Sequence, residues 1–342
     1  MKAFKFGPSD FLNENFCSSL RECSELVQQD PSWIEAIDSL NYGEFIGVGA
    51  KEGTKLVGFI TFFRTQSEIG TIMQSNPFPA CYGGIVSKYT GKKRALIFKE
   101  IFNILNQELF SPDYVDLVTI VTPPFKSDED LYKNYFCPNF QTSNDYQYIN
   151  LPAKQKSKQK GNIRRKVQIA KKSKLIFEVS ENMEWFEVWL NIVNKRLNEL
   201  NASPLPNKFY KRLSSSMLKQ KKGLFCRASL AEKTVASGLY FYSDTVVDCF
   251  MRASDQDYKD LQPGVFLDYF ALEFFAELGI KIFNWQSSPN QNKQIFDYKK
   301  NFGSLTKTHF YLTKLIKPNS PILKATTQEA ATCFPHNFVL PM

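Results

Sequence analysis

The sequence predicts an α/β protein of two similar domains, each a mixed sheet covered by helices, arising from an internal duplication. Two observations carry that prediction. The order hairpin, strand, helix, strand occurs twice along 342 residues, with KLVGFITFF (55–63) and TVASGLYFY (234–242) in the same role. The length suits two domains of about 100–200 residues each, and 43% hydrophobic residues with 31 Phe supply two cores.

In the first half, residues 13–28 and 32–39 carry helical patterning. FIGVGA (45–50), a Lys-Glu-Gly turn at 51–53 and KLVGFITFF then predict a β-hairpin. CYGGIVS (81–87) predicts a further strand with a glycine pair. GKKRALIFKEIFNILNQELF (91–110) sets Leu96, Ile101, Phe102, Leu105 and Leu109 near helical spacing. VDLVTIV (115–121) has the continuous apolar run of a buried strand and stops before Pro123 and Pro124, while DYQYINL (145–151) alternates as a strand should.

The second half repeats this order. Helices are predicted over about 181–200 and 207–220, and GLFCRASL (223–230), a Glu-Lys turn and TVASGLYFYS (234–243) form a hairpin. TVVDCFMRAS (245–254) is a third strand. VFLDYFALEFFAEL (265–278) is a helix with a stripe at Leu267, Phe270, Ala271, Phe274, Phe275 and Leu278, and KIFNWQS (281–287) is the strand after it. The predicted division is therefore 1–150 and 151–342, the second domain opening with a basic segment, 154–174.

That segment holds ten of the 43 Lys and Arg residues and no acid, leaving 33 cations against 34 carboxylates elsewhere. The basic pI is thus local. A protein that coats nucleic acid spreads its charge over a face, whereas one block implies a localised anion: a phosphate, a nucleotide or the end of an RNA. The block contains no aromatic residue for base stacking, which speaks against the alternative reading of a non-catalytic RNA- or nucleotide-binding protein. Seven cysteines without C-x-x-C suit reduced thiols in a cytoplasm. His309 and His336 stand far from any cysteine pair, so no metal is implied. No apolar window of about 18 residues predicts a membrane span, and MKAFKFGPSDFLNENF has no signal-peptide core. No G-x-S-x-G elbow is present. A covalent nucleophile is therefore not indicated, and direct attack by an amine fits better.

A hairpin followed by strand, loop, helix and strand resembles the core of GNAT acyltransferases, and two copies joined by a basic segment resemble the FemABX family and its relatives with a BioF2-like acetyltransferase domain. The resemblance rests on SWIEAI (32–37), CYGGIV (81–86), RRKVQIAKKSKLIFEVS (164–180), MRASDQDYKDLQPGVFLDYFALEFFAELGIKIFNWQSS (251–288) and IFDYKKNFGS (295–304). It implies an acyltransferase that moves an acyl or aminoacyl group from an activated ester, acyl-CoA or aminoacyl-tRNA, to an amine on a sugar-nucleotide or cell-envelope precursor. The usual Gly-rich phosphate loop is absent; only Gln262-Pro263-Gly264 stands there.

The candidate site follows. Lys299 matches the lysine of the family's aromatic-Lys-x-x-Phe-Gly ending and is implied to stabilise charge at the transferred carbonyl. Lys300 is expected to point away, and the aromatic neighbour Tyr298 to meet substrate. Asn284, Gln286 and Ser288 alternate along their strand and would share a face, with Arg252 at the end of the next strand. The resemblance implies a phosphate contact for Arg196. Arg164 and Arg165 are expected to bind phosphate if Ile163, Val167 and Ala170 form the docked edge of a helix. Gln262 and Gly264 begin a helix whose free N–H groups suit an anion. Asp255 and Asp257 are conceivable bases, yet two acids in a loop are usually just solvated.

Overall fold

The computed structural model describes residues 1–78, 82–151, 161–202, 204–287 and 293–338. The chain forms two compact units, 1–143 with 308–342, and 144–307.

In the first unit, strands β1 (Lys2–Phe6), β2 (Glu44–Glu52), β3 (Lys55–Ser67), β4 (Gly70–Gln74) and β5 (Leu117–Val121) lie in chain order. All neighbours are antiparallel except β4 and β5, which are parallel. Gly47 is needed for the β1–β2 contact: a Cβ there would lie 2.3 Å from the Phe6 ring. Helix Gly91–Ile104 buries Ile97, Phe98, Ile101 and Phe102 against the sheet core.

The expected strand at 81–87 is not one. Residues 82–87 make a single bridge, Phe59 to Val86, and otherwise run as a loop. Gly84 sits at φ +81°, outside the strand region, where a Cβ would meet the Tyr132 hydroxyl at 2.4 Å. The strand before the helix is β4, whose short run GTIMQ escaped the pattern.

The second unit repeats the pairing scheme with β7 (Ile176–Ser180), β8 (Gly223–Leu230), β9 (Lys233–Tyr242), β10 (Val246–Ser254) and β11 (Ile282–Ser287). Again only the fourth and fifth strands, β10 and β11, run parallel. The β8–β9 turn falls at Ala231 and Glu232, both at positive φ, rather than at Glu232 and Lys233. Two positive-φ residues match the right-handed twist of a tight hairpin.

Each set of five strands gains a sixth from a distant part of the chain. β6 (Phe140–Asn150) pairs antiparallel with β11, and β12 (Leu305–Leu315) pairs antiparallel with β5. A cut at 150 therefore falls at the end of β6, which pairs with β11 of the second unit, and residues 308–342 join the first unit. Element order alone does not reveal which fifth strand a sixth strand will pair with.

The basic segment forms helix Gly161–Lys172, with Ile163, Val167 and Ala170 buried as the spacing predicts. Residues 154–160 lie outside the described residues. The following hydrophobic helix, Pro263–Glu277, is buried nearly all round through Val265, Phe266, Leu267, Tyr269, Ala271, Leu272 and Phe275. Leu278, expected in its stripe, lies past its end and is 51% exposed. Among the described residues no helix is long and apolar enough to cross a membrane.

Candidate functional site: a fork between two parallel strands

β10 and β11 pair only at Val246–Ile282, Val247–Phe283 and Asp248–Asn284. Beyond that point both strands break register. β10 bulges against β9 between Cys249 and Met251, and β11 shifts against β6 between Asn284 and Ser287, with Gln286 at φ +60°. Bulges bend strands and end pairing, so the two strands part. The gap is a cleft of about 830 Å³, walled by 249–254 of β10 and 285–287 of β11. Helix Lys293–Asn301 adds Gln294, Ile295, Tyr298 and Lys299, and Lys166, Arg196, Leu200 and Gln256 complete the lining.

Asn284 locks the base of the fork. Its amide donates to Asp248 Oδ1 at 2.6 Å, and its carbonyl oxygen accepts from the Gln286 N–H at 3.0 Å. Asn284 is fully buried. The expectation of a shared cleft face for Asn284 and Gln286 is thereby corrected: the bulge breaks the alternation, and only Gln286 lines the cleft. Ser288 lies outside the described residues.

Lys299 is 8% exposed and its Nζ donates to the carbonyl oxygens of Trp285, at 2.8 Å, and Gln286, at 3.4 Å. Burial lowers its pKa to about 8, with the Arg252 charge acting in the same direction and Cys249 and Asp268 against it. Lys300 is exposed. Beside Lys299, Arg252 Nε is ion-paired at 2.8 Å with Asp268, which is fully buried on helix Pro263–Glu277. The Tyr298 hydroxyl donates to the other oxygen of that carboxylate. Burial raises Asp268 to about 6, opposed by Arg252 and by the Tyr298 hydrogen bond. Cys249 is pushed up to about 12 by burial.

The remaining candidates stand apart from this core. Arg196 lines the cleft and is paired with Glu199 at 2.8 Å. Arg164 and Arg165 are exposed on their helix and do not line the cleft; their neighbour Lys166 does. Gln262 turns the chain at φ +57°, and its side chain donates to Lys259 O rather than to the cleft. A Cβ at Gly264 would lie 3.3 Å from Ser254 Oγ and 3.6 Å from Arg252 Nη1, so the helix start adjoins the cleft wall. Asp255 is engaged elsewhere: its carboxylate caps the turn at Asp257 N and pairs with Lys195 at 2.7 Å. Lys195 holds it below the ordinary carboxylate range, which suits a structural anchor and makes a poor base.

Lys166, Asp268 and Trp285 were missed in the sequence, though two of them carried a signal. Lys166 is three residues from Ile163 and one from Val167, so helical phase sets it at the flank of the buried edge. Asp268 is the single carboxylate in the otherwise apolar run VFLDYFAL, and a buried charge requires a partner.

The first unit closes its own fork. After Gln74–Thr119, Ser75 N–H donates to Thr119 O, Ser75 Oγ accepts from Val121 N–H, and Gly83 N–H donates to Val121 O, each at 2.9 Å. Its own backbone thus occupies the gap that stands open in the second unit.

Residues 157–300, which contain the open fork, match the family model for the acetyltransferase (GNAT) domain. No curated protein matches the sequence. Among solved structures the chain resembles FemX at a TM-score of 0.71 and 10% identity, over 95% of this chain and 100% of that one. It also resembles the C-terminal domain of a putative lysylphosphatidylglycerol synthetase from Agrobacterium fabrum, at 0.57 and 10% identity over 87% and 91% of the two chains. A GNAT-family acetyltransferase from Colwellia psychrerythraea matches at 0.51 and 11%, over 92% and 100%. At these identities the structural likenesses establish fold. The match of residues 157–300 to the GNAT acetyltransferase domain supports a transferase activity of the acyl-transfer class. Its fold, taken whole, is like that of FemX, as the sequence resemblance implied.

Proposed function

We propose that the open fork transfers an acyl or aminoacyl group from an activated ester, acyl-CoA or aminoacyl-tRNA, to an amine on a sugar-nucleotide or cell-envelope precursor in the cytoplasm. The observation that carries this reading is the cleft between β10 and β11 of a GNAT domain, with Lys299 and Arg252 in its wall. In the reaction the acceptor nitrogen attacks the acyl carbonyl carbon. The new N–C bond forms, the ester C–O or thioester C–S bond breaks, and the leaving hydroxyl or thiol takes up the proton that the amine gives up. Negative charge collects on the carbonyl oxygen on the way, where a fixed cation acts most strongly.

Attack without an acyl-enzyme is supported by the state of Cys249. It is the cysteine in the cleft wall, and burial keeps its thiol protonated far above neutral pH. The basic helix Gly161–Lys172, through Lys166, supports a phosphate-bearing substrate or a tRNA end. The acceptor class follows from the FemABX resemblance. The test is a donor screen, acyl-CoA species against charged tRNAs, with mass detection of the acylated amine. Product from either donor that disappears in the Lys299→Ala variant supports the reading. Phosphate or RNA binding with no transfer from any donor supports a binding protein built on this fold.

A further inference from the structure

Arg252 is held at one end and open at the other. Its Nε lies 2.8 Å from Asp268 Oδ1, an ion pair without hydrogen-bond geometry. Its guanidinium carbon lies 5.1 Å from the Tyr298 ring centre and 5.9 Å from that of Trp285. No hydrogen bond from Nη1 or Nη2 to a protein acceptor exists among the described residues, and the side chain lines the cleft. Four N–H donors are therefore presented to the cleft in a planar fork. Charge points the same way. Arg252 and Lys299 are two cations about one fully buried carboxylate, Asp268, and the described cleft lining contains no carboxylate or imidazole.

We infer that the Nη edge of Arg252 seats a substrate oxyanion, carboxylate or phosphoryl, and that Asp268 is the positioning residue that aims it. A guanidinium binds such groups through two parallel N–H···O bonds, and its value depends on the orientation of the plane. Asp268 holds the guanidinium by its ion pair at Nε and is itself held by the Tyr298 hydroxyl. The excess positive charge is what a bound anion neutralises. The inference rests on the proposed transferase only for which substrate carries the anion. Its test reads binding without turnover, so failure of the donor screen and failure of this inference are separate results.

The charge and positioning accounts predict opposite outcomes at Asp268. If only net charge mattered, Asp268→Asn would remove a negative charge and tighten anion binding. If Asp268 aims Arg252, the same change loosens the guanidinium and weakens binding. The experiment is isothermal titration of the full chain with inorganic phosphate, pyrophosphate and acetate, on wild type and on Arg252→Gln, Arg252→Lys, Asp268→Asn and Tyr298→Phe. Circular dichroism on each variant checks the fold. Saturable 1:1 binding is expected for wild type, with the phosphate and acetate arms separating a phosphoryl from a carboxylate source. Arg252→Gln should weaken it at least tenfold, Arg252→Lys less, and Asp268→Asn several-fold despite its charge change. Should Asp268→Asn fail to fold, Tyr298→Phe decides, since it keeps the ring and releases only the carboxylate; a several-fold weakening supports the inference and unchanged affinity overturns it. Tighter or equal binding by folded Asp268→Asn, no effect of Arg252→Gln, or no saturable site for any of the three anions on wild type also overturns it.

Discussion

The ammonium of Lys299 lies 2.8 Å from the carbonyl oxygen of Trp285, on a different element and fourteen residues earlier in the chain. That carbonyl belongs to the part of β11 that has left β10. In a complete ladder a backbone N–H would satisfy it; at the fork a lysine does. The same side chain therefore does two jobs, holding the fork open and presenting a cation inside it.

Lys299→Ala should accordingly affect both rate and stability. Oxyanion donors in other enzymes are worth about 10²–10³ in kcat, and a loss of that order is expected here, with kcat falling more than KM rises. The carbonyls of Trp285 and Gln286 also lose a donor in a part-buried wall, which costs about 1–3 kcal/mol. Lys300→Ala, altering an exposed neighbour, should leave both unchanged. Steady-state kinetics with urea titration of the two variants checks the pair. A silent Lys299 beside an essential Lys300 would reverse the assignment.

Asp255→Asn should spare turnover. The carboxylate pairs with Lys195 and accepts from Asp257 N–H, and losing such a cap costs about 0.5–2 kcal/mol. The expected result is kcat within a few-fold of wild type and a modest drop in the urea midpoint. A loss of a hundredfold or more at constant stability would restore Asp255 as the base.

Much of this was legible in the chain. The duplicated order and the docked edge Ile163–Val167–Ala170 follow from element order and periodicity, and the outward Lys300 from the register of the aromatic-Lys-x-x-Phe-Gly resemblance. What escaped is set by contacts far apart in sequence. The sixth strands depend on pairings such as Tyr311 with Val121 and Asn150 with Ile282, separated by well over a hundred residues. The face of Asn284 depends on a bulge at which two strands part, which a strict two-residue alternation does not contain. Charge points to Arg164 and Arg165, but helical phase turns Lys166 toward the cleft instead.

Gly84→Ala tests the closed fork of the first unit. The residue is at φ +81°, and a Cβ would press on the Tyr132 hydroxyl, which accepts from Ile85 N–H at 2.8 Å. A non-glycine residue at strained positive φ costs about 1–3 kcal/mol, and displacing Tyr132 adds to it. A loss of at least that size in urea titration is expected. Neutral behaviour would mean that the loop 82–87 can slide without disturbing the fork.

The pH dependence of the reaction follows from the burial of Lys299. Burial brings its pKa down to about 8, helped by Arg252 and opposed by Cys249 and Asp268. The proposed role needs the charged form. As pH rises through about 8 the ammonium loses its proton, so kcat should fall on the alkaline side with a midpoint near that value, and Lys299→Arg, which stays charged, should abolish the fall. Stability moves the other way. The unfolded lysine keeps its proton to about 10.4, so between about 8 and that value the unfolded chain binds more protons than the folded one. The contribution of this group to stability therefore increases with pH across the window and is lost as pH falls through about 8. Wild type should thus lose turnover while this one group favours folding, a divergence that general alkaline unfolding does not produce. Rates and urea midpoints measured on the same samples from pH 7 to 9.5 separate the two. If kcat instead rises through pH 8, the neutral amine is the working form and Lys299 accepts the proton of the attacking amine.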